Sequence, residues 1–111
     1  VDADRGSLPP WRLVSNHGLV LIAVANRPNS LVRELAAVVG VSERACQSIV
    51  NDLCDVGYLS RRRVGRRNVY RVHARMPMRH PALRGEEVAR LLGLLSPAFS
   101  PDWAAAPAAT A

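Results

Sequence analysis

The sequence predicts a mainly α-helical domain carrying one small β-hairpin, and three observations lead there. Apolar residues recur at helical spacing through three successive segments between positions 17 and 56. The period then drops to two between 58 and 73, and Gly65 sits where a hairpin would turn. A last helical stripe returns over 85–95. The chain has 111 residues and is 49% hydrophobic, which suits one compact domain with a small core.

The elements follow in order. Residues 1–14 read as an N-terminal arm, polar as far as Pro9-Pro10, with a short apolar patch at Trp11–Val14. Ser15-Asn16 offers an N-cap for a first helix over His17–Asn26. Leu19, Ile22 and Ala23 share one face of it, and Val20, Leu21 and Val24 widen the stripe. Arg27-Pro28-Asn29-Ser30 breaks the helix. A second helix begins between Leu31 and Arg33 and runs to Val39, burying Leu35, Ala36 and Val39. Gly40 is placed to end it in the left-handed conformation. Ser42 then caps a third helix reaching about Val56, with Glu43 in its first turn. Ala45, Cys46, Ile49, Val50, Leu53 and Cys54 form its apolar stripe, while Arg44, Gln47, Ser48 and Asn51 lie on the other side. Gly57 ends it. Tyr58–Val64 and Asn68–His73 read as two strands joined by Gly65-Arg66-Arg67. Met76–Pro81 is expected to be extended. Gly85–Leu95 is a fourth helix, its stripe made by Val88, Leu91, Leu92 and Leu95. The Pro- and Ala-rich residues 97–111 read as a disordered tail.

Charge narrows the function. The net charge is +6, and all 15 basic residues are arginine. A GC-rich genome explains the absence of lysine, but not where the arginines lie. From Tyr58 to Arg79 there are eight arginines in 22 residues and no Asp or Glu. Five crowd the hairpin at Arg61, Arg62, Arg63, Arg66 and Arg67. Like charges so concentrated repel one another, so an anionic partner is expected.

The order helix, short Gly-containing turn at Val39–Ser42, helix and hairpin is that of a winged helix-turn-helix. Its third helix would enter the major groove and present Arg44, Gln47 and Ser48 to base edges, with Asn51 further along. Ser42 and the free N–H groups at the helix start suit a backbone phosphate. Arg61, Arg62, Arg63, Arg66, Arg67 and Asn68 would lie on the adjacent backbone or enter the minor groove.

The segments SNHGLVLIAVANRP, RELAAVVGVSERACQSIVNDLCDVGYLSRRRVGRRNVYRV and MPMRHP carry a resemblance. Across Asn16–Pro81 the chain resembles winged helix-turn-helix regulators of the MarR-like and ArsR-like type, in particular small actinobacterial winged-helix proteins. The resemblance implies double-stranded DNA binding and a role in transcription, with Ser42–Val56 as recognition helix and the Gly65 hairpin as wing. It supplies neither a target gene nor an effector. Cys46 and Cys54 depart from the pattern, which has a β-branched residue or Leu at the first position and Glu at the second.

Competing functions are weaker. No Gly-rich phosphate loop, carboxylate pair or Ser/His/Asp arrangement can be placed, so no catalytic residue and no cofactor is expected. Two cysteines and the scattered His17, His73 and His80 give no metal spacing and no disulfide framework. Cys46 and Cys54 read as structural thiols, two helical turns apart, rather than as redox sensors. A protein-binding winged-helix adaptor is the alternative, but it would need apolar anchors on the hairpin. RNA binding lacks an aromatic platform. No apolar run reaches bilayer length and no signal-peptide order opens the chain, so a soluble, cytoplasmic, nucleoid-associated protein without membrane contact is expected. Residues 82–96, alone or with Trp11, Leu13 and Val14, are the expected surface for a homodimer, which would match a two-fold operator. An effector would have to bind near the junction of the first and fourth helices.

Overall fold

A computed structural model describes residues 9–96. Residues 1–8 of the expected arm and the expected tail over 97–111 lie outside the described residues. Four helices and one antiparallel hairpin follow one another: α1 (Asn16–Asn26), α2 (Val32–Val39), α3 (Glu43–Asp55), β1 (Leu59–Val64), β2 (Arg67–Val72) and α4 (Val88–Leu95). This mixed, mainly helical architecture is the one expected, and it is compatible with a winged helix.

Local chemistry sets most boundaries. Ser15 Oγ accepts from the Gly18 N–H at 3.1 Å and starts α1. At α2 the Glu34 carboxylate reaches back to the Leu31 N–H at 2.7 Å, satisfying an orphan donor of the first turn. Gly40 ends α2 with φ 85°, which a residue with a Cβ adopts only at a cost. Ser42 Oγ accepts from the Ala45 N–H at 3.0 Å and starts α3. The turn between α2 and α3 is therefore fixed on one side by a backbone conformation and on the other by a side-chain cap. Between the strands, Val64 pairs with Arg67, leaving a two-residue loop of Gly65 and Arg66. Gly65 has φ 62° and Arg66 does not share its positive φ, which suits a II′ hairpin turn with Gly first.

The core is a single cluster. Val20, Leu21, Ala23 and Val24 of α1 meet Leu35, Ala36 and Val39 of α2 and Cys46, Ile49, Val50 and Leu53 of α3. Leu59, Tyr70 and Val72 close it from the hairpin, and Val88 and Leu92 from α4. Leu19 and Ile22 are only partly buried, so the deep face of α1 is centred on Val20, Leu21 and Val24 instead. In a nearly continuous apolar run, periodicity cannot choose the face; the surrounding elements choose it.

The C-terminal part differs from expectation in two respects: of the expected stripe only Val88 and Leu92 are buried while Leu95 is exposed, and the helix starts later. α4 begins at Val88, not at Gly85. Arg84 and Gly85 both have positive φ, and Met76–Met78 pairs with 86–88 through Met78 N–H to Glu86 O (2.8 Å) and Val88 N–H to Met76 O (2.9 Å). That pairing holds 86 and 87 extended. α4 is tied to α1 by Ser96 Oγ and Asn26 Oδ1, 2.6 Å apart. Trp11–Val14 attaches elsewhere: Arg12 donates to Val39 O at 2.8 Å, and Val14 lies against Gly18. The two expected parts of a dimer surface thus meet α1 near its opposite ends, about 12 Å apart along the helix.

Candidate nucleic-acid interface

α3 is amphipathic by construction. Its buried stripe fixes the rotation of the helix, and that rotation turns Arg44, Ser48 and Asn51 fully outward with Gln47 half-buried beside them. With Glu43 they border one open groove of 630 Å³. Ser42 is exposed at the helix start; its oxygen serves the cap, and its hydroxyl proton is still able to donate. From sequence, Glu43 is expected only as a dipole partner. Its place one residue before Arg44 was the available signal that a carboxylate would also edge this groove.

The hairpin joins this face through its register. Arg61 lies opposite Tyr70, Arg63 opposite Asn68 and Leu59 opposite Val72, so these six side chains share one side of the ribbon. That side starts in the core and runs outward past the end of α3, where Arg61 donates to Asn51 Oδ1 at 2.8 Å. The same oxygen accepts from Gln47 Nε2 at 3.1 Å. Arg62 lies on the other side with Ser60, Val69 and Arg71, in a polar cleft of 440 Å³ against Pro28 and Asn29. The run Arg61–Arg63 is therefore split between two faces instead of forming one patch.

The remaining hairpin residues fall into two groups. Arg63 Nε donates to Gly65 O at 3.3 Å, and the Arg67 guanidinium donates to Asn29 O. The Tyr70 N–H reaches Pro28 O at 3.2 Å, so the α1–α2 loop covers the outer edge of β2. Arg44, Arg62 and Arg66 are exposed, and among the described residues their side chains make no hydrogen bond or ion pair. Asn68 is half-buried opposite Arg63. All eleven expected binding positions thus lie on α3, its cap or the hairpin, with Arg62 and Arg67 on the side of the ribbon away from α3.

Other groups are accounted for differently. His17 Nε2 meets Asp52 Oδ2 at 2.9 Å and links α1 to α3 on the surface. His80 Nδ1 accepts from the Ala82 N–H at 3.0 Å and caps a short 3-10 turn at Pro81–Leu83. Arg79 donates to Val56 O at 3.2 Å and stacks over Tyr58, whose hydroxyl donates to Pro77 O at 2.9 Å. Cys46 is fully buried; burial raises its thiol pKa, and the Glu43 charge adds to the rise. Both cysteines are free thiols. Among the described residues, no group of three or more His, Cys, Asp or Glu could hold a metal, and no helix is long and apolar enough to cross a membrane.

The α1–α4 junction is filled by Val88 and Leu92 and closed by Ser96. Open space lies on the opposite side of α4, as a groove of 640 Å³ lined in part by Met78, Leu83, Ala89, Leu91 and Leu94. Comparison with protein-family models, curated proteins and solved structures finds no match for this chain.

Proposed function

We propose that the chain is a winged helix-turn-helix domain that binds double-stranded DNA sequence-specifically, as a prokaryotic transcriptional regulator. One observation carries this reading. The outward residues of α3 adjoin the side of an acid-free hairpin that carries Arg61 and Arg63, through the Arg61–Asn51 hydrogen bond, making one polar, basic face. A helix of this width fits the major groove, where Arg pairs with guanine and Gln with adenine. The hairpin would act as the wing, with Arg63 and Arg66 on phosphates beside the groove. Phosphate contacts then position the domain and α3 reads the bases. Exposed Leu94, Leu95 and Leu83 favour pairing of two copies through the α4 side, which would place two α3 helices on a two-fold site in a cytoplasmic regulator.

The test is binding to a mixed-sequence duplex as salt is raised from 50 to 200 mM. Each phosphate contact contributes a slope of about −0.9 in log K against log salt. A steep negative slope is expected. No binding at 50 mM would remove the reading.

A further inference from the structure

Three side chains on two elements form one hydrogen-bonded line. Arg61 of β1 donates to Asn51 Oδ1 at 2.8 Å, and Gln47 Nε2 donates to the same oxygen at 3.1 Å. The chemistry of these groups fixes its direction. A guanidinium has donors only, so it can meet the Asn51 amide only at its oxygen. With both lone pairs of that oxygen engaged, Gln47 can meet it only with its nitrogen. A charge on the hairpin thereby sets which way round two amides on α3 are held. It leaves Gln47 with Oε1 turned away from Asn51 and one N–H unused.

We propose that this relay selects the base that Gln47 reads, with Asn51 and Arg61 as positioning residues; the inference rests on the DNA-binding reading above. An outward carbonyl oxygen beside one N–H matches adenine, which offers the N6 amino donor and the N7 acceptor. Guanine offers two acceptors, N7 and O6, and would set its O6 against Gln47 Oε1. Gln47 therefore discriminates adenine from guanine because its amide cannot turn. Released from the relay, the same amide can rotate and give both N–H groups to guanine. Docking strengthens the effect, since water that competes for these exposed bonds is expelled from the groove.

The experiment begins with selection of binding sites from duplexes carrying a 20-base-pair randomised window, with the wild-type chain and with Gln47→Ala. The position whose preference vanishes in Gln47→Ala marks the base read by Gln47. Affinities are then measured on two duplexes differing only by A·T or G·C at that position. Wild type is expected to favour adenine by about tenfold. Asn51→Ala and Arg61→Ala should each reduce the ratio to within about threefold, although Arg61 lies on another element. Asn51→Asp should keep the tenfold ratio, because a carboxylate presents the same acceptors to both donors. Circular dichroism verifies that each variant is folded, and the two alanine variants are independent of one another. If both keep the full ratio while Gln47→Ala loses it, the relay is refuted and DNA reading stands. A wild-type preference for guanine at that position refutes the relay equally. If the wild-type chain enriches no sequence, the DNA reading itself falls, and the relay with it.

Discussion

Arg63 and Arg66 offer the most direct quantitative test of the wing. Arg63 shares the side of the ribbon that runs past α3, and the Arg66 side chain occupies the turn with no partner among the described residues. The double variant Arg63→Ala, Arg66→Ala removes two cations and no buried surface, so the fold should be undisturbed. If each arginine neutralises one phosphate, the slope of log K against log salt becomes shallower by about 1.8 per protomer. Between 50 and 200 mM salt the ratio of wild-type to variant affinity should therefore shrink about twelvefold for a monomer and about 150-fold for a dimer. Fluorescence anisotropy on a labelled mixed-sequence duplex at three salt concentrations measures this. Arg62→Ala is the internal control. Arg62 faces the opposite side of the ribbon, so its slope should change by less than about 0.5. Equal slopes for wild type and the double variant would show that these arginines do not touch phosphate. Equal changes in all three arginines would refute the division of the ribbon into two faces.

Four further outcomes follow from the same geometry. Ser42→Ala removes the cap on the Ala45 N–H and should cost about 1 kcal/mol in urea unfolding, with weaker DNA binding because the start of α3 frays. Leu92→Ala empties a fully buried position between α4 and the rest of the core; a loss of about 3 kcal/mol, roughly 15 °C in melting temperature, is expected by calorimetry. Leu94→Glu places a charge at a position 84% exposed, so it should leave the melting temperature of a monomer unchanged while shifting light-scattering mass from two copies to one. Burial raises the Cys46 pKa in the folded state, so its contribution to stability is complete below the unfolded thiol's pKa and is lost as pH rises through the folded value. Stability should fall on the alkaline side, and Cys46→Ala should flatten that fall in pH-dependent urea melts.

Legibility in the sequence followed the range of the interaction concerned. Gly40, Ser42 and Gly57 could be read directly because each acts on its own turn of chain: a positive φ, a cap, a positive φ. The outward set Arg44, Gln47, Ser48 and Asn51 followed from one helical period. Contacts between distant segments could not be read. Asn29 as the acceptor for Arg67 and Pro28 as the partner of Tyr70 join residues remote in sequence, and the pairing that delays α4 to Val88 spans a loop with no periodic signal. The separation of Arg62 from Arg61 and Arg63 was available in principle, because side chains alternate along a strand. The link that Asn51 Oδ1 makes to Arg61 and Gln47 joins the hairpin to α3 and is invisible to helical periodicity.

The hairpin has one further consequence, which concerns the protein in isolation. β2 is shielded along its outer edge by the α1–α2 loop, but among the described residues β1 has no backbone partner on its outer side. An open strand edge is a template on which a second molecule can add, and such growth leads to aggregates. Three consecutive arginines occupy that edge and project to both sides of the ribbon. Two such edges approaching each other bring six positive charges together, which opposes stacking. The same side chains thus act as gatekeepers of solubility. Neutralising all three would make the chain prone to self-association at high concentration and low salt, whatever it did to recognition.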